Sequence, residues 1–187
     1  MPVTQITLLE GYPPEVRERL VQRVGDAVRS VIAAPEAGTT TYVQHAATYR
    51  RDARVFTSGN AAHPVASDVV RGFLEAMEAR ELERARACLA PGFVMVFPGG
   101  ARFTALEELV AWGKGRYQRV GKHFDGFDES WQGDTNVVYV RGTLHGVWPD
   151  GTPFQSIRFI DRFEVVQGQL VRQDVWNDLA AYRPAGL

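Results

Sequence analysis

Residues 153–166 read Pro153-Phe-Gln-Ser-Ile-Arg-Phe-Ile-Asp-Arg-Phe-Glu-Val-Val166, and this stretch decides the fold of the larger part of the chain. Ile157, Phe159, Phe163 and Val165 share one face by period-two alternation, while Arg158, Arg162 and Glu164 share the other. That is the pattern of a long strand with one face buried in a sheet. Asp161 stands on the apolar face. A carboxyl withdrawn from water there is suited to donate a hydrogen bond or carry a proton. The other reading is an ion pair with Arg141 or Arg158 across the sheet.

Working outward, similar strands are predicted over about residues 122–131, 137–148 and 169–177. Gln132-Gly-Asp-Thr-Asn136, Asp150-Gly151 and Gln167-Gly168 supply hairpin turn chemistry between them. Upstream, Val69, Val70, Phe73, Leu74 and Met77 recur at helical spacing, and Leu82, Ala85 and Leu89 mark a second helix stopped by Pro91-Gly92. Phe93–Phe97 forms a short strand closed by Pro98-Gly99-Gly100, and Thr104 caps a third helix reaching Tyr117. Helices followed by a meander give an α+β class, a cone-shaped curved antiparallel sheet wrapped over helices.

The first 62 residues have a different organisation. A strand over residues 2–9 turns at Gly11, and Pro13-Pro14 opens a helix carrying Val16, Leu20, Val24, Val28 and Val31. A β-branched strand over residues 39–46 completes a parallel β-α-β unit. A turn-rich stretch from Ser58 to Pro64, with Ser67 and Asp68 as helix N-cap candidates, places the boundary between residues 1–62 and 63–187. Two strands and one helix bury too little to stand alone, so this module predicts a homo-oligomer.

The 187 residues are 45% hydrophobic, with 21 Lys+Arg against 22 Asp+Glu. This excludes collagen, a disordered tail and a supercharged nucleic-acid binder. The basic residues, nearly all arginine, are spread and matched by acids, so no phosphate-binding face is expected. A single cysteine, Cys88, cannot form an intrachain disulfide. No apolar run approaches the ~20 residues of a membrane span, and MPVTQITLLEG has no charged n-region or cleavage site. A cytoplasmic location follows as an expectation, without membrane or nucleic-acid partners. His45, His63, His123 and His145 show no metal-ligand spacing, so neither metal nor cofactor is expected.

Met1-Pro2-Val3, Ile6, Leu8-Leu9-Glu10-Gly11 and the helix after them resemble the 4-oxalocrotonate tautomerase family over residues 2–46. The resemblance implies removal of Met1 and a free Pro2 amine as the base that moves a proton on an enol. An α-amino group titrates near pH ~7.7–8, close to neutrality. A retained Met1 converts that base to an inert amide. Where the family carries carboxylate-binding arginines, this chain has Tyr12 and Thr40.

Residues 66–182 resemble the SnoaL-like polyketide cyclases of the nuclear transport factor 2 and ketosteroid isomerase superfamily. The resemblance rests on the order of Phe73-Leu-Glu-Ala-Met-Glu, Phe93-Val-Met-Val-Phe-Pro-Gly-Gly100, Val138-Tyr-Val-Arg-Gly-Thr-Leu-His-Gly146, Phe159-Ile-Asp-Arg-Phe163 and Trp176-Asn-Asp178. It implies a cone whose mouth holds a small, mostly apolar ligand, and a fold of this kind gives a pocket rather than a reaction. Asp178 follows Gly168 at the spacing of the cyclase aspartate, with Asp174 the other candidate for that inward position. His145, on a strand face with Tyr139, Arg141 and Thr143, is a further proton-transfer candidate. The places that hold the isomerase base and phenol are Phe97 and Phe73, which disfavours steroid-type chemistry. Phe73, Phe97, Trp112, Tyr117, Trp148 and Trp176 are the expected ligand-lining aromatics.

The expected function is a cofactor-independent isomerase or cyclase fusion acting by proton transfer on a small apolar carbonyl or enol compound, with Pro2, Asp161, Asp178 and His145 as its proton-transfer groups. The alternative is a non-catalytic small-molecule-binding cone, oligomerised through a degenerate tautomerase-like module.

Overall fold

A computed structural model describes residues 1–56 and 62–182. The chain divides into two compact units, Met1–Ala62 and His63–Leu187. The turn-rich stretch from Ser58 to Ala61 lies outside the described residues. Among the described residues no helix is long and apolar enough to cross a membrane.

In the first unit, β1 (Val3–Leu9) and β2 (Thr40–Ala46) pair in parallel from Val3 opposite Thr40 to Leu9 opposite Ala46, and α1 (Pro14–Val31) makes the crossover. Pro14 occupies the first turn of α1, where its missing N–H costs nothing, with Glu15 near the helix start and Arg29 near its end. None of the 18 residues of α1 is buried. A hairpin follows where the sequence predicts no element. In it β3 (Tyr49–Arg51) pairs with β4 (Arg54–Phe56). Its turn residues Asp52 and Ala53 take φ of 51° and 61°, the left-handed values a two-residue hairpin turn needs, without the usual glycine signal. The stacked rings of Tyr49 and Phe56, 5.0 Å apart, close it.

The second unit begins with α2 (Ala66–Glu78) and α3 (Leu82–Ala87). Ser67 and Asp68 lie inside the first turn of α2 rather than capping it. The Glu129 carboxylate instead accepts the Ser67 N–H at 2.8 Å, placing an anion at the positive end of the helix. The second helix stops at Ala87, before the expected Leu89, because Leu89 is needed in β5 (Leu89–Phe97) as the partner of Leu170. Pro91-Gly92 then falls within that strand, where the pairing register breaks. A short β6 (Ala101–Phe103) precedes α4 (Leu106–Lys114), which is shorter at both ends than the predicted third helix. Four strands follow: β7 (Arg119–Gln132), β8 (Thr135–Val147), β9 (Pro153–Val166) and β10 (Gln169–Asn177), ending in α5 (Leu179–Tyr182).

The sheet order is β6-β5-β10-β9-β8-β7. The β5–β10 pairing is parallel, so the sheet is mixed rather than wholly antiparallel. Register shifts at Phe124/Gly126, Leu144/Gly146 and Leu170/Arg172 bend its strands. Gly142 shows how hard: a Cβ there would lie 2.0 Å from the His123 carbonyl oxygen on β7. Val70, Phe73, Leu74 and Met77 of α2 join Val138 and Val140 of β8, Phe163 and Val165 of β9, and Leu170 of β10 in one buried core. The concave face of the sheet therefore looks onto helices, and the hollow between them is where a site can form.

Candidate functional site

Asp161 is fully buried, with no exposed surface, in the middle of β9, on the face it shares with Ile157, Phe159, Phe163 and Val165. Its partner is neither Arg141 nor Arg158. Lys122 of β7 reaches Asp161 Oδ2 through its Nζ in a short ion pair. Between the two strands β8 presents Gly142, which pairs with Phe124 on one side and Phe159 on the other. The Lys122 Nζ also lies 4.3 Å from the centre of the Phe159 ring, a cation–π contact. On β10, Gln173 Nε2 donates to the same Asp161 Oδ2 at 3.2 Å. A carboxylate only accepts, which fixes that amide with its nitrogen toward Asp161. Asp161 Oδ1 and Gln173 Oε1 are buried and have no hydrogen-bond partner among the described residues.

Two cavity lobes meet at this cluster. The larger, about 110 Å³, is walled by Phe73, Leu74, Met77, Leu109 and Val110, with Gln173 in its lining and Glu78 and Arg80 among its polar residues. The smaller, about 70 Å³, is lined by Trp112, Leu144, Phe159, Asp161 and Val175. Phe97, Tyr117, Val120 and Lys122 line both. Burial pushes the Tyr117 phenol above its ordinary value, with nearby Arg80 and Arg116 partly opposing, so the hydroxyl stays protonated and available as a donor. Glu78 secures the edge strand by accepting the Lys122 backbone N–H at 3.3 Å. The result is an apolar hollow on which the Lys122 amine, the Asp161 carboxylate, the Gln173 amide and the Tyr117 phenol converge, the usual composition of a small-molecule site.

Of the residues singled out in the sequence, Phe73, Phe97, Trp112, Tyr117 and Asp161 line these lobes. Others do not. Trp148 is buried against Phe154 with ring centres 4.5 Å apart, so it fills core beside the hollow. Trp176 is 52% exposed, because Gln173 and Val175 take the inward positions of β10 and leave Trp176 beside the half-exposed Ile160 on the outer face. His145 is exposed, pairs with Gly121, and is not among the residues lining the two lobes. Asp178 holds the outward Arg158 through Nε at 2.8 Å, and Asp174 is held by Arg172 and Arg162, so neither aspartate lines the hollow. Pro2 lies in the first unit ahead of β1, its carbonyl accepting the Thr40 N–H at 3.1 Å.

Lys122 and Gln173 are the site residues that the sequence reading misses. Lys122 does carry a signal, as one of only two lysines in an arginine-dominated chain, at period two from Val120 and Phe124. Gln173 carries none, because the register shift between Leu170 and Arg172 breaks the alternation leading to it.

A curved mixed sheet over helices, with an apolar hollow and converging polar groups on its concave side, defines a cone-type α+β fold. Residues 70–173 match the SnoaL-like domain, more than half of the chain, and the protein belongs to that family. Solved structures agree on the fold. An NTF2-like protein of unknown function from Burkholderia pseudomallei K96243 is 21% identical with a TM-score of 0.54, over 63% of this chain and 93% of that one. TerC, co-crystallised with polyporic acid, is 19% identical with a TM-score of 0.53, over 63% and 94%. An NTF2-like protein from Burkholderia thailandensis E264 is 16% identical with a TM-score of 0.52, over 65% and 99%. No curated protein matches the chain.

Proposed function

We propose that the protein is a cofactor-independent enzyme that moves a proton on a small apolar carbonyl or enol compound held in the cone. The observation that carries this reading is the Lys122–Asp161 pair, Lys122 lining both lobes and Asp161 the smaller, with Asp161 Oδ1 buried and without a donor among the described residues. A ligand carbonyl oxygen accepts a hydrogen bond from Lys122 Nζ. Asp161, whose terminal torsion is soft, turns Oδ1 toward the adjacent carbon and removes its proton. The electron pair of that C–H bond becomes the carbon–carbon double bond, the carbonyl π pair moves to the oxygen, and the enolate forms against the ammonium. Reprotonation from Asp161 at a conjugated carbon completes an isomerisation, whereas return to the same carbon gives exchange alone. A positioned base contributes about 10²–10⁴ in rate, and a preorganised cation at the oxyanion about 10²–10³.

The experiment is deuterium exchange at the α-carbon of aryl methyl ketones in heavy water, followed by proton NMR. Wild type is expected to exchange above background. Asp161→Asn is expected to abolish the exchange while still binding ligand, and an Asp161→Asn protein that exchanges at the wild-type rate overturns the assignment.

The first unit supports a second reading beside this one. Its β-α-β order and Pro2 suit a tautomerase-like module in which a free Pro2 amine acts as base once Met1 is removed. Tyr12 and Thr40, in place of carboxylate-binding arginines, and a helix with no buried residue favour an assembly role instead, with a non-catalytic cone as its cargo. Enol turnover of a phenylpyruvate-type substrate by protein with and without Met1 separates them, since equal rates exclude Pro2.

A further inference from the structure

We infer that the ligand of the cone is a monocyclic ketone that also carries a hydroxyl group, its carbonyl set at Lys122 and its hydroxyl donating to Gln173 Oε1. This deepens the proton-transfer reading and rests on it for the carbonyl. Three observations lead to it.

The first is size. An apolar cavity of about 150 Å³ takes one benzene. A larger lobe of about 110 Å³, joined through shared walls to one of about 70 Å³, matches a single substituted ring more closely than a fused polycycle. The second is the unmet acceptor. Asp161 Oδ1 is accounted for by the proton it takes, but Gln173 Oε1 is also buried without a partner, and its amide orientation is fixed by the bond from Nε2 to Asp161. A buried acceptor left unmet is costly. Gln173 lines the larger lobe, and with its nitrogen held by Asp161 the amide oxygen is the atom left for a donor there. An ether or a plain hydrocarbon does not meet that need, whereas a hydroxyl does. A phenolic hydroxyl, with a pKa near 10, stays protonated at neutral pH.

The third observation is spacing. Lys122 Nζ and Gln173 Nε2 both bond one oxygen, Asp161 Oδ2. The two side chains therefore end within about a ring's width of each other. One six-membered ring with the carbonyl and hydroxyl as separate substituents spans that gap. Gln173 thus sets specificity without taking part in the proton transfer.

The test uses the full chain and three probes, 3-hydroxyacetophenone, 3-methoxyacetophenone and acetophenone, with binding measured by titration calorimetry and α-proton exchange by NMR. Wild type is expected to bind the hydroxylated ketone about tenfold more tightly than either of the others, the effect of one buried hydrogen bond. Gln173→Met is expected to level the three affinities. The ligand class is overturned if the methyl ether binds as tightly as the phenol, if 6-hydroxy-2-acetylnaphthalene binds more tightly than the monocycle, or if none of the three binds at millimolar concentration. The two readings fail separately: the hydroxyl preference without exchange overturns only the proton transfer, and exchange without the preference overturns only the ligand class.

Discussion

The Asp161 carboxylate is wholly buried, whereas the Lys122 side chain paired with it keeps 20% of its surface. The two members of this pair are therefore unequal in what their loss leaves behind. Lys122→Met strands a buried carboxylate without its cation, a change that typically costs about 3–5 kcal/mol. Asp161→Asn leaves an ammonium whose long stem can swing its head toward water, giving up mainly the contact with Phe159, about 1 kcal/mol. Urea denaturation at neutral pH is expected to show the lysine variant as the weaker protein by a clear margin. Equal losses would mean that the pair is not asymmetric in solution.

The same pair shows what the sequence makes legible. Asp161 is visible because its inward neighbours Ile157, Phe159, Phe163 and Val165 keep strict alternation from Ile157 to Val165. The partner is not visible, because it comes from a strand two removed in the sheet, and no local pattern reports that Gly142 of β8 lies between. Trp176 misleads for a related reason: the register shift after Leu170 resets which residues of β10 face inward. The α+β class and the curved sheet over helices are legible from the order of turns and alternating runs. The β3–β4 hairpin is not, since Asp52-Ala53 lacks the usual turn glycine.

Gly142 and Gly72 make a contrast in what a single methyl group does. At Gly142 a Cβ would meet the His123 backbone oxygen at 2.0 Å and Phe159 at 3.1 Å, and the backbone cannot yield without opening the β7–β8 bend. Gly142→Ala is expected to cost about 1–3 kcal/mol or more, as overpacking does. At Gly72, inside α2, nothing lies within 4 Å of the added carbon. Gly72→Ala is expected to stabilise by up to about 1 kcal/mol through helix propensity. The midpoints of thermal unfolding for the two variants should move in opposite directions.

Asp174 supplies a pH dependence with a definite sign. The Arg172 guanidinium, bonded to it through Nε at 2.8 Å and Nη2 at 2.7 Å, holds its carboxyl below the usual value, with Arg162 adding to this and burial opposing it. The unfolded chain, with an ordinary aspartate near pH ~4, binds this proton more readily than the folded one. The stabilisation is therefore fully present above that pH and is lost as pH falls through the folded value. Asp174→Asn is expected to cost about 1 kcal/mol at pH 7. The difference from wild type should shrink on acidification through about pH 4. A gap that stays constant down to pH 3 would remove Arg172–Asp174 as the cause.

The first unit leaves apolar surface uncovered, which a second copy of the chain is expected to cover. Its sheet has two strands, so each keeps an unpaired edge among the described residues, and α1 buries none of its residues. Val3 is 63% exposed at the start of β1 and Val31 85% exposed at the end of α1. Open edges and exposed apolar side chains in a unit of ~60 residues are liabilities that association removes. Self-association requires no other partner and closes by symmetry. Light scattering at micromolar concentration is expected to give a multiple of the 20.8 kDa chain mass. Val3→Lys and Val31→Lys, which place charge on that surface without touching the cone's cavity, are expected to lower the mass toward that of one chain. A wild-type protein that already runs as a single chain at that concentration would show that this unit is stable without a partner copy.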